Sequence, residues 1–318
     1  MNKNMFLKGK YSMTLFLTTL NQMTILFIFM LIGYFLEKRH ILPEDGAVTL
    51  SKLEANIILP ALILNTFISK CTPYVISGKL PFIIWGTVLA VVSVILAVIL
   101  AVPFAPKGAL RNIYKYSIAI ANSGFMGNAV MLGVFGEDMF FDYLIFTMPI
   151  NVVIYTWGVA LLIPGGSGEN PLKRLINPVC MAMVLGAVIG LLSIPLPSCI
   201  VTVLSNTGSC MAPLAMILTG FTIGHYSLKK LLVNKKVYAV TFLRLIALPV
   251  LFVAVFRLLK MDDYMLTLAL CTVAMPLGLN TVIFPAAYGM DTSTGASMSL
   301  ISHTLSVITI PLVFSVLL

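Results

Sequence analysis

Apolar runs of membrane length recur along the whole chain. A helix that spans a bilayer needs about 20 predominantly apolar residues, and about ten such runs fit into this sequence. Hydrophobic residues make up 59% of the 318 residues and charged residues only 10%, which excludes a soluble globular protein. The sequence therefore predicts an all-α integral membrane protein with ten transmembrane helices and almost no room for a soluble domain.

We number the predicted spans 1 to 10 in chain order. Spans 4 and 9 contain the unusual stretches 121–138 and 274–291. The other eight spans cover residues 20–36, 47–68, 80–102, 140–163, 178–192, 200–224, 237–258 and 294–317.

Span 4 carries polar and flexible residues where a helix built only to cross lipid has none. The stretch ANSGFMGNAVMLGVFGED includes Asn122, Ser123, Gly124, Gly127 and Asn128. Hydrocarbon offers no water to pair with loosened backbone groups, so such residues are tolerated there only where the backbone lines a cavity. We therefore predict that span 4 is a broken helix.

The same pattern returns in span 9 as AMPLGLNTVIFPAAYGMD. Ala121 and Ala274 are separated by 153 residues, and so are Asp138 and Asp291. This offset predicts an internal duplication with five spans in each half. Because five is odd, the second half enters the membrane from the opposite side, and the repeat is inverted. Interrupted segments at corresponding positions of two such halves indicate the binding site of a transporter.

The duplication also predicts the domain boundaries. Residues 1–163 form the first five-helix repeat, and residues 171–318 form the second. The segment 164–170, rich in glycine, is the only stretch that resembles a linker, and it falls where the duplication places a boundary.

The net charge of +9 comes from 20 lysines and arginines, which lie mainly in short loops. Such charge sets the orientation of a membrane protein and does not indicate a nucleic-acid partner. An extracytoplasmic amino terminus places more of these residues in cytoplasmic loops, which predicts a multi-pass protein of the cell (plasma) membrane with both termini outside. The five cysteines show no metal-binding spacing, and no phosphate-binding loop occurs. We expect membrane lipids as partners, no metal, no cofactor and no enzymatic activity.

Two aspartates could suggest an intramembrane protease, because Asp138 and Asp291 end the two broken stretches at equivalent places. In an inverted repeat, however, they lie on opposite sides of the membrane and cannot face each other. We interpret both as caps of the following helices, since aspartate accepts hydrogen bonds from the first NH groups of a helix.

A broken helix exposes NH groups at its new amino terminus, with a partial positive charge of about half an elementary charge. Two such ends near one point attract a carboxylate without a buried lysine or arginine, and no basic residue lies near either break in the sequence. Alternatively, the amide side chains in these stretches only satisfy loosened backbone. The predicted substrate-binding residues are Asn122, Ser123, Gly124, Gly127, Asn128, Met275, Pro276 and Asn280.

Five further polar residues inside the spans are candidates for ion coupling or polar support. His303 carries a coupling proton, or it is a neutral residue bonded to a neighbouring serine. Arg244 snorkels or pairs with another group, or it contacts the substrate. Glu54 is a coupling-ion site or a helix-end carboxylate in the interface. Asn56 and Asn151 complete this group.

Short motifs follow one another in a specific order along the chain: IGY at 32–34, NIILPAL at 56–62, NSGFMG at 122–127, APLA at 212–215, AMP at 274–276 and YGMD at 288–291. In these motifs the sequence resembles the auxin efflux carrier family of secondary transporters. That family includes plant auxin exporters and bacterial permeases for small carboxylates, and it is related more distantly to bile acid–sodium symporters. One departure is Ala129, which stands where the family usually has proline.

The resemblance implies that broken spans 4 and 9 cross near the membrane centre. Spans 1, 2, 6 and 7 would form a scaffold and the interface of a homodimer, and spans 3–5 and 8–10 would move against it as an elevator-like transport domain. The implied function is secondary active transport of small organic anions such as carboxylates, driven by a proton or sodium gradient. The alternatives are a sodium-coupled symporter of bile-acid type and a membrane sensor that transports nothing.

Overall fold

The computed structural model describes residues 3–43, 45–76, 78–163, 176–286 and 290–318. The predicted linker at 164–170 lies outside these residues. Throughout the described part the secondary structure is helical, and the only extended pairing there is a single antiparallel bridge between Ala121 and Leu277. The prediction of an all-α fold is confirmed.

Seven helices in the described part are long and apolar enough to cross a membrane, and the predicted count of ten is not reached by this criterion. Two shorter apolar helices, Pro178–Leu191 and Asp263–Val273, accompany them. The seven are Ser12–Lys38, Gly46–Lys70, Leu80–Leu100, Ser123–Leu162, Ser198–Gly224, Lys235–Leu258 and Ser293–Leu317. The first of these continues a helix that begins at Lys3.

The predicted break in span 4 is confirmed, and it lies at the amino-terminal edge of the glycine-containing stretch. The helix Ala109–Ala119 ends before Ile120, which is extended with φ −119° and ψ 116°. The chain turns at Asn122 and re-enters a helix through the π-helical turn Ser123–Gly127. The two glycines of this stretch therefore lie in the first turn of the new helix and not in the break itself.

The predicted break in span 9 is also confirmed. The helix Asp263–Val273 ends at Val273, and the next helix, Asn280–Ala286, begins at Asn280. The intervening segment contains Pro276, which has no NH group to continue a helix.

Two further π-helical turns each precede a proline by one residue. Glu54–Ile58 precedes Pro60, and Leu243–Ala247 precedes Pro249. In the first, the Leu59 NH bonds to the Glu54 carbonyl five residues earlier. A wider turn of this kind accommodates a proline ring inside a helix, and it often occurs at functional sites.

A sharp kink divides the long helical region Ser123–Leu162. Gly136 has φ 84° and ψ 179° there, a conformation that favours glycine. Just after this kink Asp138 accepts a hydrogen bond from the Lys70 ammonium at 2.7 Å. Asp138 thus has an ion-pair partner in the structure, and its role as a helix cap stays a prediction. The second aspartate behaves as expected, because Asp291 Oδ1 accepts the backbone NH of Ser293 at 2.9 Å.

Glycines allow two of the helices to approach each other closely. A Cβ on Gly33 would lie 1.9 Å from the carbonyl oxygen of Ile217, and one on Gly220 would lie 1.8 Å from that of Met30. The helices Lys3–Lys38 and Met211–Gly224 are thus in backbone contact, as membrane helices with glycine at their interface commonly are. These helices belong to predicted spans 1 and 7, and the division into scaffold and transport domain stays a prediction.

Candidate functional site

The two broken segments meet in space. The backbone NH of Asn122 donates to the Pro276 carbonyl at 2.8 Å, beside the bridge between Ala121 and Leu277. The Leu277 NH donates to Ser302 Oγ at 3.1 Å. At the breaks, these backbone NH groups have no partner within a helix. They donate instead to a carbonyl of the other broken segment or to a neighbouring hydroxyl, as their burial requires.

A cavity of about 200 Å³ lies beside this meeting point. It is smaller than the roughly 300–1,000 Å³ of sites for drug-sized ligands, so it suits a small molecule. Both broken segments contribute to its walls, and none of the described residues lining it is charged. The predicted binding residues that line it are Asn122, Ser123, Gly124, Asn128 and Asn280, together with Asn151 from the supporting group.

Three predicted binding residues do not line the cavity. A Cβ on Gly127 would lie 2.3 Å from the hydroxyl of Tyr143, so this glycine makes room for a tyrosine. Met275 is fully buried and packs beside Gly127. Pro276 contributes its carbonyl to the backbone pairing described above. These three residues support the meeting point from outside the cavity, and their contact with a substrate stays a prediction.

Gly124 has the opposite environment. It lines the cavity, and nothing lies within 4 Å of the position that its Cβ would occupy. The first NH groups of the helix that begins at Ser123 have no partner within that helix. Because Ser123, Gly124 and Phe125 all line the cavity, this helix start supplies donors and partial positive charge where the walls carry no charged side chain.

Two tyrosines that the sequence analysis missed hold the site together. Asn280 Nδ2 donates to the hydroxyl of Tyr116 at 2.8 Å, which joins the second broken segment to the helix Ala109–Ala119. The hydroxyl of Tyr143 donates to the Ser123 carbonyl at 3.1 Å. Both tyrosines are fully buried. In the sequence, the only indication of these bonds was a tyrosine in an apolar segment. The hydroxyl of a buried tyrosine usually finds a hydrogen-bond partner.

His303 lies against the first broken segment. Its Nε2 is 3.0 Å from Nδ2 of Asn122, and its Nδ1 is 2.8 Å from the Ser299 carbonyl oxygen. Both side chains are buried, with 2% and 3% of their surface exposed. The serine that contacts His303 is Ser299, four residues earlier, through its backbone carbonyl, and the contact with Asn122 places His303 next to a residue of the cavity wall.

Arg244 is the main surprise. Its guanidinium Nη1 donates to the Ile118 carbonyl at 3.0 Å, and only 1% of the residue is exposed. Snorkelling is therefore wrong, and a basic residue that is distant in the sequence lies next to the first break in space. A small cavity beside Arg244 shares Ala121 and Ser123 with the larger one, so the cation lies behind the backbone of the first broken segment. No acidic residue in the described chain forms an ion pair with it.

The two remaining candidates, Glu54 and Asn56, differ in burial. Glu54 is fully buried within a helix that begins at Gly46, so it is not a helix-end carboxylate in the interface. Neither of its carboxyl oxygens has a hydrogen-bond partner in the structure. Asn56 is exposed, and its amide bonds to the Lys52 carbonyl of its own helix at 2.8 Å. Neither residue lines the cavity. The structure thus brings Asn151, His303 and Arg244 to the meeting point of the two broken segments. Glu54 and Asn56 lie outside the walls of the cavity.

The chain is similar in sequence to known proteins. The model of a family described as "Membrane transport protein" matches residues 18–314. An uncharacterized transporter of Methanothermobacter thermautotrophicus is 23% identical over 291 residues, which cover 90% of this chain and 94% of the relative. The uncharacterized transporter YfdV of Escherichia coli is 25% identical over 305 residues, covering 90% of this chain and 93% of the relative.

Proposed function

Because the chain belongs to the membrane transport protein family, the auxin efflux carrier type that its motifs resemble, we propose that it is a secondary active transporter of small carboxylate anions. Family membership and the seven apolar helices make it a multi-pass membrane transport protein. The substrate class, the coupling ion (H⁺ or Na⁺) and the mechanism are the proposed part.

The observation that carries the proposal is the cavity where the two broken segments meet. Its walls combine the amides of Asn122, Asn128 and Asn280 with the helix start at Ser123. Amide NH₂ groups and free backbone NH groups donate to carboxylate oxygens, and such charge-assisted bonds are stronger than neutral ones. A site built from neutral donors and partial charges binds an anion and still releases it.

The proposed mechanism is alternating access of elevator type. In it the ten predicted spans form two inverted five-helix repeats, and spans 4 and 9 cross near the middle of the cell membrane. The transport domain of spans 3–5 and 8–10 moves against a scaffold of spans 1, 2, 6 and 7, through which two copies form a homodimer. Both termini are extracytoplasmic in this arrangement.

Two alternatives make different demands. A symporter of bile-acid type needs a site for a steroid-sized anion, and a cavity of about 200 Å³ is below the usual size for drug-sized ligands. A membrane sensor needs a binding site but no flux. The small cavity favours a small anion, and a measurement of flux separates a transporter from a sensor.

The test is uptake of radiolabelled acetate, malonate and benzoate into proteoliposomes under an imposed proton or sodium gradient. We expect gradient-driven uptake of at least one of these carboxylates by the wild type. Asn122→Ala should abolish it, and Asn56→Ala, the same substitution at an exposed asparagine outside the cavity, should retain it. If the wild type binds carboxylates but moves none under either gradient, the sensor is the better account.

A further inference from the structure

The hydrogen bonds of His303 define which of its nitrogens carries a proton. The Ser299 carbonyl oxygen, 2.8 Å from Nδ1, can only accept, so Nδ1 is the protonated nitrogen of a neutral ring. Nε2 then has a lone pair, and Asn122 Nδ2 at 3.0 Å donates to it. In the neutral state the NH₂ end of the Asn122 amide is therefore turned towards the histidine.

Protonation of Nε2 reverses this requirement. An imidazolium donates from both nitrogens, so Nε2–H would meet the NH₂ group of Asn122 donor to donor. Rotation of the Asn122 amide by half a turn removes the conflict, because its oxygen then accepts from Nε2–H. The same rotation moves the NH₂ group away from His303. Since Asn122 lines the cavity, this group becomes a donor for a bound anion.

We propose that His303 and Asn122 form a proton-dependent switch. A proton on His303 turns the Asn122 amide, so that this residue presents a hydrogen-bond donor to a bound carboxylate in place of a hydrogen-bond acceptor. This inference rests on the proposed function and extends it, because it makes H⁺ the coupling ion. The proton ends on His303 Nε2, and no covalent bond of the protein changes other than this N–H bond.

The surroundings of His303 make the coupling strong. A further small cavity, distinct from the one beside Arg244, lies next to the His303 ring. It is lined by apolar side chains, among them Met23, Met30 and Met216. An imidazolium buried there is costly unless a negative charge compensates it. A carboxylate in the cavity of about 200 Å³ that Asn122 lines supplies that charge. Proton and carboxylate therefore raise each other's affinity, and this linkage is reciprocal.

Among the side chains that the structure describes, the other charged groups on the helices packed against His303 are bonded elsewhere or exposed. Arg244 donates to the Ile118 carbonyl, and Arg257 donates to the Leu317 carbonyl. Lys236 donates to the Phe104 carbonyl, and Glu37 pairs with His225 at 3.2 Å. Lys38 donates to the Tyr226 carbonyl, and Lys229, Lys230 and Lys235 are exposed. No described carboxylate forms an ion pair with His303, and the proposal assigns that compensation to a carboxylate in the cavity.

The test measures protons and carboxylate together on the purified full-length protein in detergent. Benzoate, acetate or malonate is added to a weakly buffered solution that contains a pH-sensitive dye, and the affinity is measured between about pH 5.5 and 8, the range in which histidine titrates. We expect the wild type to take up about one proton per carboxylate bound, with affinity falling by up to about tenfold per pH unit as the pH rises. His303→Gln should bind without proton uptake and independently of pH. His225→Gln, at an exposed histidine that does not line the cavity, should behave as the wild type.

Each other outcome is decisive. Carboxylate binding by the wild type without proton uptake overturns the switch and leaves the proposed function intact. Unchanged proton uptake by a folded His303→Gln protein also overturns the switch, because the proton then binds elsewhere. If the wild type binds none of the three carboxylates at any pH, the switch and the proposed function both fail. Should His303→Gln not fold, His303→Asn takes its place under the same criteria, and the absence of proton uptake by the wild type overturns the switch without either variant.

Discussion

The hydroxyl of Tyr116 accepts a hydrogen bond of 2.8 Å from Nδ2 of Asn280, across a sequence separation of 164 residues. This bond joins the helix before the first break to the helix after the second. The Asn280 amide is therefore partly engaged in holding the crossing and not free to serve a substrate alone. Asn280 thus has a structural bond besides its place in the cavity wall, and its contact with substrate stays a prediction.

Tyr116→Phe should weaken both the fold and the site. It removes the acceptor of the Asn280 amide inside a buried region, and a polar group left without its partner costs about 1–3 kcal/mol. We expect a lower melting temperature of the purified protein and weaker binding of the transported carboxylate. Tyr238→Phe is the control, because that hydroxyl bonds to the Leu232 carbonyl on an exposed surface. Equal effects of the two substitutions would refute a special role for Tyr116.

Asn280→Ala should act in the same direction on both quantities. Losing the amide leaves the buried hydroxyl of Tyr116 unsatisfied and also removes a donor from the cavity wall. We expect a fall in carboxylate affinity of about tenfold or more, since a charge-assisted bond contributes roughly 1.5–3 kcal/mol, together with a lower melting temperature. A lower melting temperature with unchanged affinity would show that the residue only supports the backbone.

Two glycines three residues apart should respond oppositely to alanine. At Gly127 the new Cβ would lie 2.3 Å from the Tyr143 hydroxyl, which itself bonds to the Ser123 carbonyl. Overpacking of this kind costs about 1–3 kcal/mol, so the melting temperature should fall. At Gly124 the Cβ would enter open space in the cavity. Gly124→Ala should keep stability and reduce the affinity for the larger carboxylates first. A stable Gly127→Ala protein with unaltered binding would contradict this assignment.

Arg244→Met should separate electrostatics from folding. The guanidinium is buried without an acidic partner in the described chain, so its removal relieves a desolvation cost while losing one bond to the Ile118 carbonyl. We expect a small change in melting temperature and a clear loss of carboxylate affinity, with Arg244→Lys intermediate because it keeps the charge. Arg257→Met, at an exposed position, serves as control. An anion affinity unaffected by Arg244→Met would mean that this cation does not act on the cavity.

Local patterns predicted the parts of the site that depend on local chemistry. Asn122, Gly124 and Pro276 indicated two breaks, because glycine, amides and proline inside an apolar run loosen a helix wherever the rest of the chain goes. The family resemblance then implied that the two breaks meet. The helix limits were predicted less well at the first break, where the helix ends before Asn122 and the glycines lie in the turn that follows.

Contacts between distant segments were not predictable in the same way. Arg244 reaches Ile118 across 126 residues, and nothing in its own helix shows where its side chain points. Gly127 was assigned to substrate contact by its neighbours, but its role follows from Tyr143, which approaches it from a helix beyond the Gly136 kink. Such roles depend on tertiary packing, which a single sequence does not show.

The central claim is that a carboxylate occupies the cavity at the crossing, and substrate protection of a single cysteine tests it most directly. In a protein whose five native cysteines are replaced by serine, Ser51→Cys places a thiol on the cavity wall. Ser69→Cys, the matched substitution on the same helix, places one outside it. We predict that the transported carboxylate slows labelling of the cysteine at 51 by a small thiol reagent and leaves the cysteine at 69 unaffected. Saturating carboxylate that protects neither position, or both equally, would contradict the location of the site.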